Sequence, residues 1–298
     1  MREQECFAAA FGVQSMTEGF NREAALYLRD HIHEFIPDAG KSGDASEKIK
    51  ALLDKSQGGS SIRVTYAKAA KADEKGRWFA KNPGAMQGMN RRVRHTICNG
   101  LWIDIDFVNC HPVLLSQMCK NLLRIVCPFL DKYINNRDEM LQEMVSTGVQ
   151  SRSEAKKSIL KVLNGGCVSN FNTPWWENLC TEFGTLACQV ATHPDHKAFL
   201  DNCQKEKGSY NLHARTMSAV LCSVENKCLE QLYSFLKDHD CVPGGKCSLI
   251  FDGLMIPDTP LIREKVFSDG FLNDASERIR QVTGYSVAIT FKDFDEPF

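Results

Sequence analysis

Residues 101–107 read LWIDIDF, an apolar and aromatic run broken only by Asp104 and Asp106. Such a run predicts a buried strand. Strand residues two apart point to the same face, so both carboxylates project together. A pair of that kind stays ionised in low dielectric only where cations neutralise it, and divalent metal is the simplest source. Capping of the strand end, or pairing with Arg91, Arg92 or Arg94, is the plainer alternative.

Elsewhere the hydrophobic period switches between helix and strand. Residues 1–60 read as helices with polar breaks: Ala24, Leu26, Leu28, Ile32 and Phe35 keep helical spacing until Pro37, and a shorter helix covers 45–53. A strand at 61–64 runs into a basic segment. From Pro112 to residue 163 the chain reads as helical, with an apolar run over 113–126 and Ser151 or Ser153 capping its last helix. That helix sets Lys157 and Lys161 one turn apart before Gly165 and Gly166 break it. Trp175 and Trp176 read as core anchors rather than base-stacking platforms, and 184–214 as a polar, irregular surface. At 247–256, CSLIFDGLMI, only Asp252 and Gly253 interrupt an apolar strand, as in a tight hairpin that offers a further carboxylate. A helix over 261–282 and a strand over 286–292 complete an α+β fold, an antiparallel sheet with helices.

Composition narrows the class. The 298 residues are 43% hydrophobic, enough for a large core in one or two domains. A net charge of -1, from 36 basic and 37 acidic residues, excludes a polybasic coat but allows a locally positive cleft. No two of the 13 cysteines form CxxC, so Cys110, Cys119, Cys127, Cys188, Cys222 and Cys228 read as reduced core residues. His193 and His196 have the spacing of a ligand pair, with nothing to complete a zinc site. Neither a signal peptide nor an apolar stretch of about 18 residues is visible, which predicts an intracellular, reducing location and no membrane contact.

Two separated strand acids plus a helix with two lysines fit two-metal phosphoryl transfer. In order and spacing these residues resemble the family A DNA polymerases, the bacterial polymerase I group, over most of the chain. Arg63 and Val64, then Gly76, Arg77, Asn82, Pro83, Met86 and Gln87, look like the family's opening strand and loop. Its first acidic motif looks like Asp106, Asn109, His111 and Leu115. Its nucleotide-binding helix looks like Lys157, Lys161, Asn164 and Gly166, and its last motif like Phe251, Asp252 and Gly253.

The resemblance implies a right-hand polymerase fold: a reduced helical thumb over 1–60, a palm over 61–125 and 215–298, and short helical fingers over 126–214. It implies a primer-template nucleic acid and nucleoside triphosphates as partners, with room for a processivity, primase or helicase factor. Asp106 and Asp252, with Phe107 beside them, would hold two Mg2+ ions, for which Mn2+ substitutes. Asp104 and Lys161 would join them in catalysis. Lys157, Lys161, Asn164, Gly165, His111 and Asn109 would bind the nucleotide, His111 standing where the family's sugar-gating acid lies. Arg63, Arg77, Gln87, Arg91, Arg92, Arg94 and Arg215 would contact nucleic acid. With 75 residues ahead of Gly76, a minimal body without a proofreading domain is expected.

This chain also departs from the family. Gly253 replaces the second acid of the last motif, with Asp104 or Glu225 as substitutes unless Glu225 simply partners an arginine, Phe251 replaces its His, and Gly165 and Ser169 replace pocket aromatics. A metal-dependent nuclease and a non-catalytic palm are the competing readings. The nuclease has no use for the lysine helix, and the non-catalytic palm has no reason to keep both acids.

Overall fold

The expected strand at 101–107 forms, and the rest of one sheet assembles around it. The protein is seen here as a computed structural model that describes residues 2–36, 45–68, 76–168, 171, 173–295 and 297–298. The chain divides into two compact units, one of residues 1–70, 77–108 and 226–298, the other of 71–76 and 109–225.

The first unit opens with α1 (Arg2–Phe11), β1 (Met16–Gly19), α2 (Arg22–Phe35) and α3 (Ala45–Ser56). It continues through β2 (Ser61–Val64), β3 (Tyr66–Lys68), β4 (Trp78–Ala80), α4 (Arg91–Cys98) and β5 (Trp102–Phe107). The second unit is helical: α5 (Cys110–Met118), α6 (Pro128–Asn135), α7 (Arg137–Ser146), α8 (Arg152–Leu163), α9 (Pro174–Thr192), α10 (Lys197–Lys207) and the first part of α11 (Leu212–Asp238). The chain then returns to the first unit with β6 (Ser248–Ile250), β7 (Gly253–Pro257), α12 (Pro260–Val266), α13 (Phe271–Thr283) and β8 (Ile289–Lys292).

Helix and antiparallel sheet are thus combined, as the apolar periods require. The largest sheet has the order β6-β7-β5-β8, all neighbours antiparallel. Every residue of β5 is buried, since strands flank it on both edges and both faces are covered. Ile103, Ile105 and Phe107 take one face, and Asp104 and Asp106 the other. The remaining strands form two antiparallel pairs, β1-β2 and β3-β4.

Several sequence expectations are corrected. Strand β1 was hidden among residues read as helical, because its four residues include a charged one, Glu18. The long helical stretch from Pro112 breaks repeatedly: a π-helical turn at Cys119–Leu123 ends on Arg124 at φ 58°, and Pro128 then starts α6. Residues 184–214 are largely helical rather than irregular, because Phe183, Leu186, Ala187 and Val190 extend the buried stripe of α9 before Pro194 stops it. The helix expected over 261–282 is two helices, parted at Gly270, whose φ of 84° suits glycine. All 13 cysteines are free, but Cys188 is exposed and Cys222 half-buried, so these two are not core residues. Trp175 and Trp176 are buried and meet edge-on at 6.0 Å, as core anchors do. Ser151, not Ser153, caps α8, its Oγ accepting from the Glu154 amide at 3.2 Å.

Glu18 is fully buried and ties the first unit together. Its carboxylate accepts from the Tyr66 hydroxyl at 2.6 Å, the Ser248 hydroxyl at 2.7 Å and the Met86 amide at 2.8 Å. Burial raises its pKa despite these donors. Substituting Glu18→Ala strands three buried donors at once and is expected to cost about 3–5 kcal/mol, read as a lower denaturation midpoint. A change under about 1 kcal/mol would mean that water reaches these groups.

Candidate active site

Strand register brings the expected acids of the first unit together. Asp106 lies opposite Gly253, and the Phe107 amide donates to the carbonyl of Asp252 at 3.1 Å, so the β6-β7 turn sits beside the end of β5. That turn has two residues. Phe251 takes φ 56°, a left-handed conformation that glycine adopts freely and other residues only under strain. Gly253 is fixed by close approach: a Cβ there would overlap the carbonyl oxygen of Ile105 and lie 2.7 Å from Oδ1 of Asp106.

The electrostatics oppose full ionisation. Burial pushes Asp106 up to about 7, and the nearby charge of Asp252 adds to the rise. Lys292 at the end of β8 opposes it through an ion pair between its Nζ and Oδ2 of Asp106. Burial also raises Asp104, with Lys292 and Arg94 working against the rise. Two like charges forced together on a buried strand cost stability, and such arrangements concentrate at functional sites.

Lys292 is the residue that sequence reasoning missed. It was read only as the last residue of a strand. Its signal was indirect: two buried acids on a central strand require a cation from a neighbouring strand, and β8 ends in one.

The basic residues separate into distinct settings. Arg77 holds its guanidinium 5.5 Å from the centre of the Phe251 ring, beside the turn that carries Asp252. Arg63 is exposed on β2. Arg91, Arg92 and Arg94 lie on helix α4. Arg91 pairs with Asp295 at 3.0 Å and Arg92 stacks over Phe298 at 4.1 Å. Arg94 is buried, its charge supported by Asp104. His95 beside it is buried and drops to about 4, so its ring is neutral and accepts from the Asp295 amide at 2.8 Å. Gln87 does not face solvent: its amide donates to the carbonyls of Trp78 and Leu249 and accepts from the Ala80 amide at 2.9 Å.

In the second unit, Lys157 and Lys161 are exposed one turn apart on α8, and Lys157 pairs with Glu154 at 2.7 Å. Asn164 ends that helix, its side chain donating to the Leu160 carbonyl at 2.8 Å, and Gly165 follows at φ 78°. Asn109 caps α5 at φ 52° and keeps a buried Nδ2 without a partner. Arg215 donates to the Gly208 carbonyl at 2.8 Å, while its Nε and Nη1 are buried and unpaired. Ser169 lies outside the described residues.

Glu225 pairs with His111, not with an arginine: Oε2 and Nε2 are 2.9 Å apart and both side chains are buried. Burial alone would lower the imidazole, but the Cys222 contact together with the hydrogen bond and charge of Glu225 raise it to about 9. The sulfur is 4.0 Å away, so the carboxylate is the stronger partner. Because the folded value exceeds the unfolded 6.5, this pair stabilises fully below pH 6.5 and loses its effect as pH rises through 9. Wild type is therefore expected to lose up to about 3 kcal/mol across that window, and Glu225→Gln to flatten the profile. Parallel profiles would show that Glu225 does not hold the imidazolium.

Among the described residues, no three His, Cys, Asp or Glu side chains form a ready cage for a metal ion. Magnesium does not need one, since it binds through one or two carboxylates together with water and substrate phosphates. Asp106 and Asp252 fit that mode, and an ammonium already rests against Asp106 as a stand-in cation. His193 and His196 are occupied locally: His193 accepts from the Asp195 amide, and Nδ1 of His196 bonds the Val190 carbonyl at 2.7 Å. Among the described residues, no helix is long and apolar enough to cross a membrane.

No protein-family model matches the chain. It is 28% identical over 206 residues to V13 of Sputnik virophage, a protein to which a helicase activity is ascribed. The match takes in 65% of this chain but 26% of V13, so the chain spans about a quarter of that relative. Among solved structures, the POL domain of Pol1 from M. smegmatis, in complex with DNA primer-template and dNTP, aligns over 83% of this chain and 50% of its own. Its TM-score is 0.46 and its identity 10%, a likeness too distant to assign a fold.

Proposed function

We propose that this chain is a template-directed nucleotidyltransferase, a DNA polymerase that extends a primer, with the β6-β7-β5-β8 sheet as its palm. The observation that supports it is the convergence of Asp106 and Asp252 at one hairpin end, with Asp104 on the same face of β5 and Lys292 paired to Asp106. A fold gains nothing from gathering three acids at a central strand end. A site for cations and phosphates does.

In this reading Asp106 and Asp252 would hold magnesium, with the backbone at Phe107 beside them, and the bound ion would supply Lewis acidity toward a primer hydroxyl and offset triphosphate charge. Asp104 raises the negative potential at the same face. Lys157 and Lys161 are the candidates for pyrophosphate charge, two ammonium groups on one helix face, and Asn164, Gly165, Asn109 and His111 are the residues that the resemblance assigns to the nucleotide. Arg63, Arg77, Arg91, Arg92 and Arg215 are the proposed backbone contacts, where guanidinium forks suit phosphate. Gln87 and Arg94 are left out, because the fold consumes them, and His111 is already held by Glu225.

The helicase activity ascribed to V13 belongs to a protein about four times the matched length. This chain contains no GxxxxGK[S/T] phosphate loop, so unwinding driven by such a loop is not proposed for it.

The test is primer extension by the purified chain with deoxyribonucleotides and with ribonucleotides, each with and without primer, in magnesium and in chelator. Magnesium-dependent extension from a primer with deoxyribonucleotides is expected. Extension with ribonucleotides alone, or synthesis without primer, would make the chain an RNA polymerase or primase. No product under any condition would leave a nucleic-acid-binding palm without catalysis.

A further inference from the structure

We infer that Lys292 is the resident counter-ion of Asp106, an ammonium seated where a divalent cation would bind, so that cation affinity is set by exchange against it. The inference rests on the proposed metal site and adds a specificity-determining residue to it.

Three observations carry it. Lys292 lies opposite Asp104 in the sheet, yet its Nζ reaches along the strand to Oδ2 of Asp106, the acid nearer the turn with Asp252. Among the described residues no other ion pair forms to Asp106, whose Oδ1 faces the bare backbone of Gly253. The two ends of the pair also differ in access: the Asp106 side chain is 9% exposed and that of Lys292 41%. A purely structural buried pair encloses both partners and saturates them with hydrogen bonds. Here the ammonium enters from solvent on a flexible stem and can withdraw without unpacking the core. The lysine thus holds the acids together while no metal is bound, and yields to a cation of higher charge.

The experiment is a manganese titration of metal-free, nucleotide-free protein, following free Mn2+ by electron paramagnetic resonance. Lys292→Met is expected to bind Mn2+ roughly three- to tenfold more tightly than wild type, the range in which removal of a half-exposed competing charge falls. Lys292→Arg, which grips a carboxylate with two donors, is expected to bind more weakly than wild type. The order Met, Lys, Arg from tight to weak supports the exchange. Equal affinity in all three, or weaker binding in Lys292→Met, overturns it while leaving the metal site standing. If Lys292→Met does not fold, the arginine arm decides, since equal or tighter binding there also overturns it. Mn2+ binding in none of the three overturns the metal site and this inference together. Binding confined to Lys292→Met supports the inference in its strongest form.

Discussion

Asp106→Asn is expected to make the metal-free chain more stable at pH 8 while abolishing nucleotide transfer. The folded-state pKa of Asp106, about 7, lies above the ordinary 3.8 because burial and Asp252 disfavour its charge. Its proton-linked stabilisation is complete below pH 3.8 and is lost as pH rises through 7. At pH 8 the ionised carboxylate therefore works against the fold, by up to about 4 kcal/mol, since each tenfold change in proton affinity is worth about 1.4 kcal/mol. An amide of the same volume removes that burden and still accepts from Lys292, so a gain of roughly 1–3 kcal/mol is expected in denaturant unfolding. Lower stability in Asp106→Asn would make Asp106 a structural partner of Lys292 rather than a functional acid. A cation bound at Asp106 competes with its proton, so added magnesium should lower the pH at which Asp106 protonates.

Gly253→Ala should produce the largest loss of structure from a single methyl group. The new Cβ would overlap the Ile105 carbonyl oxygen and crowd Asp106, both fixed by the β5-β7 ladder. Neither can move without breaking the pairing at the end of the central strand. A cost of about 3 kcal/mol or more follows from overpacking against backbone. Restoring the acid that family A polymerases carry there, by Gly253→Glu, should be worse rather than compensatory. Near-wild-type melting in either variant would show that β5 and β7 separate more freely than their register implies.

The chemistry of β5 was legible in sequence because both the strand and the acids on it were local. Seven residues sufficed to expect Asp104 and Asp106 on one face, and the break at Asp252 and Gly253 sufficed for the hairpin. What escaped was long-range. Nothing near Lys292 announces that β8 pairs with β5, and nothing near Glu18 announces that it meets Tyr66, Ser248 and Met86. Glu225 seemed a spare acid or an arginine partner until α5 and α11 set it against His111. Gly253 read as a lost carboxylate, whereas the register makes it a requirement of strand packing. For Arg91, Arg92 and Arg94, which the resemblance assigned to nucleic acid, helical phase decides access: it buries Arg94 and leaves Arg91 and Arg92 outside.

Asp252 offers the most direct measurement, because it stands on the strained turn and its loss should spare the ladder. Single-nucleotide incorporation on a primed template, at saturating magnesium and in a single turnover, compares wild type with Asp252→Asn. Removal of a metal-holding carboxylate is expected to slow incorporation by at least about 10³-fold with unchanged melting and template binding. Incorporation by Asp252→Asn within about tenfold of wild type would contradict the assignment of Asp106 and Asp252 as the cation-binding pair.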